Sequence, residues 1–233
     1  MRLLLMSNST NHGHGYLDHA MPAIRARLGP ARRIVFVPFA LHDREAYGAK
    51  ARARFSGEGI DVDVATADEA GRRAIERAEA VFVGGGNTFR LLEVLQEARL
   101  LAPLGDRARS GTPYLGASAG INLACPTIKT TNDMPIVQPR GFDALGLVPF
   151  QINPHYVDAD PSSRHMGETR EDRIREFLEE NDLVVVGLRE GAWLRIDGAR
   201  GRLEGAVAAR VFRRGRDPEE RPPGSDIDDL LVR

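Results

Sequence analysis

Five short apolar runs, each followed by a stretch of helical period, dominate the first half of the chain. The runs are Leu3–Met6, Arg33–Val37, Ile60–Ala65, Ala80–Val83 and Pro113–Ala117. Helical patterns follow near Leu17–Leu28, Glu45–Phe55, Asp68–Arg77 and Phe89–Glu97, and a further helix begins at Ser118. Parallel strands need long crossovers, and helices supply them. The alternation therefore predicts an α/β fold with a mostly parallel sheet and helices on both faces. Ligands in such sheets sit at the carboxyl ends of the strands.

After Thr127 the rhythm changes. Residues 127–141 are polar and Pro-rich and read as loop. A strand is expected near Val148–Ile152, a helix near Arg170–Glu180 and a buried strand at Leu183–Leu188. Ala192–Ile196 and Val207–Phe212 read as an antiparallel hairpin or meander. Residues 213–225 are charged and rich in Pro and Gly, so a loose C-terminal segment is expected there. No repeat and no linker divides the chain, which predicts a single α/β domain over residues 1–233.

Composition narrows the function classes. The net charge of −1 leaves no electrostatic footprint for nucleic acid or an anionic membrane. No apolar run approaches the roughly 20 residues of a membrane span. The N-terminal apolar stretch is too short for a signal peptide and reads as the first strand. The single cysteine, Cys125, forbids an intrachain disulfide and fits a reducing compartment. These features predict a cytoplasmic protein. Composition does not set the oligomeric state; a monomer or homodimer is the expectation.

Gly116-Ala-Ser118-Ala-Gly120 has the G-x-S-x-G form between an apolar strand and a helix-compatible stretch. That is the context of a nucleophile elbow, in which a sharp turn lifts the serine above the sheet. A plain Gly/Ala-rich turn fits the bare pattern too. Gly84-Gly85-Gly86-Asn87-Thr88 ends the fourth run and opens a helix. Its exposed N–H groups suit an oxyanion loop or a phosphate cradle. The Lys of a P-loop and the G-x-G-x-x-G spacing are both missing, which weakens nucleotide readings.

Six histidines are candidate bases. His12, His14 and His19 lie near the first loop, but carboxylate partners are sparse, so a solvated loop is favoured over a metal site. His42 and His165 have no special context. His155 ends a predicted strand, where an active-site base would sit. A carboxylate should orient it. Glu190, at the end of the buried run Val184–Leu188, and Asp133, in Thr-Asn-Asp-Met-Pro, are rivals that composition does not separate. The order Ser…His…Glu also differs from that of the ordinary α/β-hydrolases.

These segments resemble those of the peptidase E family, the α-aspartyl dipeptidases, serine peptidases grouped with cyanophycinase. The match runs from Ser7-Asn-Ser-Thr10 through Val83–Phe89, Asn122–Ile128, Thr130–Val137, Gly141–Leu145 and Gln151–His155 to Gly167–Arg170 and Glu190-Gly191. The resemblance implies a flavodoxin-like fold related to class I glutamine amidotransferases, with Ser in place of their Cys. It implies Ser118 as nucleophile, His155 as base and Glu190 as orienting acid. It also implies oxyanion donors on Gly86 and Ala119, and Arg170 as receptor for a substrate aspartate.

On this reading the substrate is a small Asp-X peptide and no metal or organic cofactor is required. Glu168 or Asn87 is expected to accept the substrate's ammonium group, and Asp133 is a possible support of the triad. Two features depart from the family pattern. Ala117 stands where close relatives carry Trp, which predicts a wider pocket, and the chain from Arg213 follows the pattern poorly. The alternatives are a broader aminopeptidase or cyanophycinase-like peptidase on the same triad, and a non-catalytic small-molecule-binding protein.

Overall fold

The computed structural model describes residues 1–160, 162, 164 and 166–232. His165 lies outside the described residues. The first half folds as β1 (Arg2–Met6), α1 (Met21–Leu28), β2 (Arg33–Val37), α2 (Arg44–Ser56), β3 (Asp61–Val64), α3 (Glu69–Arg77), β4 (Val81–Val83), α4 (Thr88–Glu97), α5 (Leu101–Arg109), β5 (Pro113–Ala117) and α6 (Ala119–Ala124). The second half adds β6 (Gln151–Pro154), α7 (Arg170–Glu180), β7 (Val185–Leu188), β8 (Ala192–Asp197), β9 (Arg200–Gly205), β10 (Ala209–Phe212) and β11 (Glu219–Arg221). Side-chain caps fix several helix starts. Asp43 accepts the Ala46 N–H, and Asp68 accepts those of Ala70 and Gly71.

The main sheet has the order β3-β2-β4-β5-β1-β8-β9. Its first five strands are parallel, and β8 and β9 continue it antiparallel. Alternation along the strands divides the core. Leu3, Leu5, Val35, Val37, Val81 and Val83 face one side, covered by Leu91, Leu95, Leu104 and Ile121 of α4–α6. Leu4, Met6, Ile34, Phe36 and Phe82 face the other, covered by Ile24, Leu28, Ala51 and Phe55 of α1 and α2. Each such aliphatic side chain contributes about 2 kcal/mol when fully buried.

A second sheet, β11-β10-β7-β6, closes over α6. Ile152, Val186 and Val211 on its inner face join the main core. Its outer face holds Val185 and Phe212 against Ile174 and Leu178 of α7.

Three expectations are corrected. β10 does not pair with β8. β8 takes β9 as its hairpin partner, with Trp193 opposite Glu204, while β10 crosses to the second sheet between β7 and β11. β9 is masked in the sequence because its outward Arg202 and Glu204 alternate with inward Gly201 and Leu203. β6 begins at Gln151, three residues beyond the expected start at Val148. The stretch 213–225 is not loose: β11 pairs with β10, and Arg213 and Arg221 both pair with Asp229. Edge pairing and ion pairs order a segment whose composition carries no apolar signal. The unanticipated α5 contains Pro103 in its first turn, where the missing N–H has no acceptor to lose.

Candidate active site

The carboxyl ends of β4, β5 and β1 meet those of β6 and β7. Ser118 follows β5 with φ 51° and ψ −111°, a conformation strained for any residue with a side chain. Two close approaches hold it there. A Cβ on Gly120 would lie 2.3 Å from the Val83 carbonyl oxygen, and one on Gly116 would lie 2.6 Å from that of Gly120. The Ser118 N–H donates to the Met6 carbonyl at 3.1 Å, and the buried Tyr114 hydroxyl donates to the Gly120 carbonyl at 2.7 Å. The glycines of the motif are thus packing requirements of a strand–turn–helix.

His155 follows β6, also in the left-handed region at φ 51°. Its Nε2 lies 2.8 Å from Ser118 Oγ, and its Nδ1 lies 2.6 Å from Glu190 Oε1. An ionised carboxylate only accepts, so Nδ1 carries the proton and Nε2 accepts from the serine hydroxyl. Ser118 is half-buried, whereas Glu190 is 54% exposed. Both strand ends are tied to the loop after β1. The Ser7 hydroxyl accepts from His155 N–H at 2.9 Å and donates to the Leu188 carbonyl at 2.8 Å. Asn8 Oδ1 accepts the Gly191 N–H at 3.0 Å, beside Glu190. Sequence reasoning missed Ser7 and Asn8 as supports; their signal was two buried-type polar residues at a strand's carboxyl end.

Gly86 adopts φ 131°, open to glycine alone at ordinary cost. Around it, the N–H groups of Gly84 and Asn87 donate to the Val37 and Ala40 carbonyls. The Gly86 N–H has no acceptor among the described residues. Ala119 is the first residue of α6, and its N–H likewise has none. Two unengaged donors thus flank the serine, one on each neighbouring segment.

Asp133 does not meet His155. Its Oδ2 accepts from Thr88 N–H at 2.7 Å, Thr88 Oγ1 at 2.6 Å and Thr131 Oγ1 at 3.0 Å. The carboxylate therefore caps α4 directly behind Gly86. Asn87 is engaged in the same joint: Oδ1 accepts the Arg90 N–H and Nδ2 donates to the Met134 carbonyl. Glu168 pairs with Arg173 at 3.4 Å on an exposed surface. Ala117 is fully buried in the core with Leu4 and Leu115, so it shapes the floor beneath the serine and does not line a pocket.

Arg170 opens α7 after the Thr169–Asp172 capping box. It is half-buried and makes no hydrogen bond or ion pair among the described residues. Burial, then the charge of Arg173, pulls its pKa below the usual value. His12, His14 and His42 are exposed, and no group of metal-ligating side chains occurs among the described residues. His19 lies half-buried beside Trp193, its pKa lowered first by burial. The Cys125 thiol is buried and pushed up to about 12, which makes it inert.

Residues 3–203 match the pattern of peptidase family S51. The chain belongs to this family. A peptidase E of Streptomyces coelicolor is 54% identical over 99% of this chain and 95% of its own length. A probable alpha-aspartyl dipeptidase of Drosophila melanogaster is 44% identical over 98% and 97%. Two solved structures share the fold. A peptidase from an acI-B1 actinobacterium gives a TM-score of 0.73 at 15% identity, covering 97% of this chain and 96% of that one. A putative peptidase E protein from Listeria monocytogenes gives 0.67 at 20% identity, covering 88% and 98%. As a member of family S51 the chain is a serine peptidase, a hydrolase. No helix among the described residues is long and apolar enough to cross a membrane.

Proposed function

We propose that this S51 peptidase hydrolyses dipeptides with an N-terminal aspartate through an acyl-enzyme on Ser118. The observation that carries the proposal is the unbroken chain Ser118 Oγ–His155–Glu190, at 2.8 and 2.6 Å. His155 takes the hydroxyl proton as Ser118 Oγ attacks the carbonyl of the first residue. Glu190 holds the tautomer and stabilises the imidazolium. The oxyanion forms between the N–H groups of Gly86 and Ala119, each worth about 3–4 kcal/mol in the transition state. His155 then protonates the leaving amine, and a water admitted to the same place releases the aspartyl group.

Aspartate selectivity needs a cation without a carboxylate of its own. Arg170 suits this, because a guanidinium fork matches a carboxylate and nothing among the described residues neutralises it. Its relatives' names point the same way: one is called a probable alpha-aspartyl dipeptidase. The single buried thiol fits a cytoplasmic location.

The test is Ser118→Ala assayed on Asp-Leu and Ala-Leu. Complete loss on Asp-Leu is expected, and retained hydrolysis removes Ser118 as nucleophile. Arg170→Ala should lose Asp-Leu cleavage far more than Ala-Leu cleavage. Equal losses would make Arg170 structural and favour a broader aminopeptidase on the same triad.

A further inference from the structure

Glu190 has one side-chain hydrogen bond among the described residues, the one to His155. A half-exposed carboxylate with a single partner reaches it reproducibly only where the backbone that carries it is held in place. On one side Gly191 is held by Asn8. On the other side stands Arg189, and every one of its five N–H donors is engaged. Nε and Nη2 donate to the two oxygens of Asp158, both at 2.8 Å. Nη1 and Nη2 donate to the two oxygens of Glu220, at 3.0 and 2.8 Å. Nη1 also donates to the Ala208 carbonyl at 2.9 Å.

The partners come from places that matter. Asp158 lies three residues past His155, and Pro154 pairs with Leu188 across the parallel β6–β7 ladder, so Arg189 and Asp158 join the two chains just beyond it. Glu220 lies on β11, past residue 203 where the family match ends. A planar fork bound by four carboxylate oxygens has no rotational freedom left. The Arg189 hydrogen bond holds the Asp158 carboxyl below the usual carboxylate range, so the brace stays ionised.

We propose that Arg189 is the positioning residue of Glu190, and that Glu220 makes the C-terminal hairpin β10–β11 a working part of the active site. The proposal rests on the reading of Ser118, His155 and Glu190 as the triad. Arg189 touches no reacting atom; it fixes the backbone from which Glu190 reaches His155.

A double-mutant cycle tests it. Glu220→Gln and Arg189→Lys are made in the native chain and in the Glu190→Gln background. kcat and KM are measured on Asp-Leu, alongside Tm. Glu220→Gln leaves the Arg189–Asp158 pair in place and is the milder variant. In the native background, kcat should fall about threefold for Glu220→Gln and about tenfold for Arg189→Lys, with KM nearly unchanged. In the Glu190→Gln background both losses should vanish, because the residue they act through is already disabled. Equal fold losses in both backgrounds overturn the proposal. So does a lowered Tm with unchanged kcat, which would make the cluster a purely structural clamp. Ser118→Ala separates the two failures: an inactive Ser118→Ala with additive brace variants sinks the brace alone, and an active one sinks the triad and the brace together.

Discussion

The buried hydroxyl of Ser7 accepts the backbone N–H of His155 at 2.9 Å. Ser7 leaves β1, yet it holds in place a histidine 148 residues later in the chain, in a left-handed conformation costly for a residue with a side chain. Ser7→Ala strands that N–H and frees His155 to relax towards ordinary backbone angles. Stability should fall by about 2 kcal/mol in urea unfolding. kcat on Asp-Leu should fall by roughly tenfold, since an ångström of drift breaks the Nε2–Oγ contact. A stability loss with intact kcat would mean that the β6–β7 pairing alone suffices to place the imidazole.

The two glycines of the elbow make a sharper prediction. Gly120→Ala pushes a methyl against the Val83 carbonyl oxygen, a backbone atom that cannot rotate away. Gly116→Ala does the same to Gly120. Each should cost about 3 kcal/mol, measured by urea unfolding, because either β4 or β5 must shift. A Gly120→Ala protein as stable as the native one would show that the elbow has slack the geometry does not suggest.

Much of this site is legible in the sequence because its parts end strands. Ser118, His155, Glu190 and the Gly84–Gly86 turn each follow an apolar run, and the carboxyl ends of those runs converge. What escapes the sequence is pairing between distant segments. β10 reads as the partner of β8 because it is near in the chain, yet its neighbours are β7 and β11. The strand Glu219–Arg221 is three charged residues, ordered by ladder bonds and by Arg213 and Asp229. Asp133 and Glu190 are indistinguishable acids until Thr88 and Thr131 close around one and His155 approaches the other.

That distinction is measurable. Asp133→Ala leaves the Thr88 N–H and hydroxyl without their shared acceptor at the start of α4. The joint behind Gly86 loosens, and stability should drop by about 2 kcal/mol. The hydrogen bond from His155 to Glu190 persists. Labelling of Ser118 by a serine-directed phosphonate should therefore slow less in Asp133→Ala than in Glu190→Gln. The reverse ranking would make Asp133 the orienting acid.

Far from the triad, the Arg27 guanidinium is nearly buried, with 3% of its side chain exposed, and binds both oxygens of Asp197, which Arg195 also reaches at 2.9 Å. The hydrogen bond from Arg27, ahead of the opposing effect of burial, holds the Asp197 carboxyl below its usual value of 3.8. A depressed folded-state pKa stabilises the protein fully above the unfolded-state value, and that stabilisation fades as pH falls from about 3.8 through the folded-state value. Asp197→Asn removes the carboxylate but leaves the Arg27 charge in the core. The variant should therefore be less stable than the native protein by about 2–3 kcal/mol at neutral pH. The two stability curves should converge in acid, as the native Asp197 also becomes neutral. Asp158 titrates in the same direction in both proteins, so it steepens both curves without closing the gap. Urea unfolding between about pH 7 and pH 2.5 decides the point. Curves that stay parallel through acid would show that Asp197 holds Arg27 by shape and hydrogen bonding alone, with no contribution from its charge.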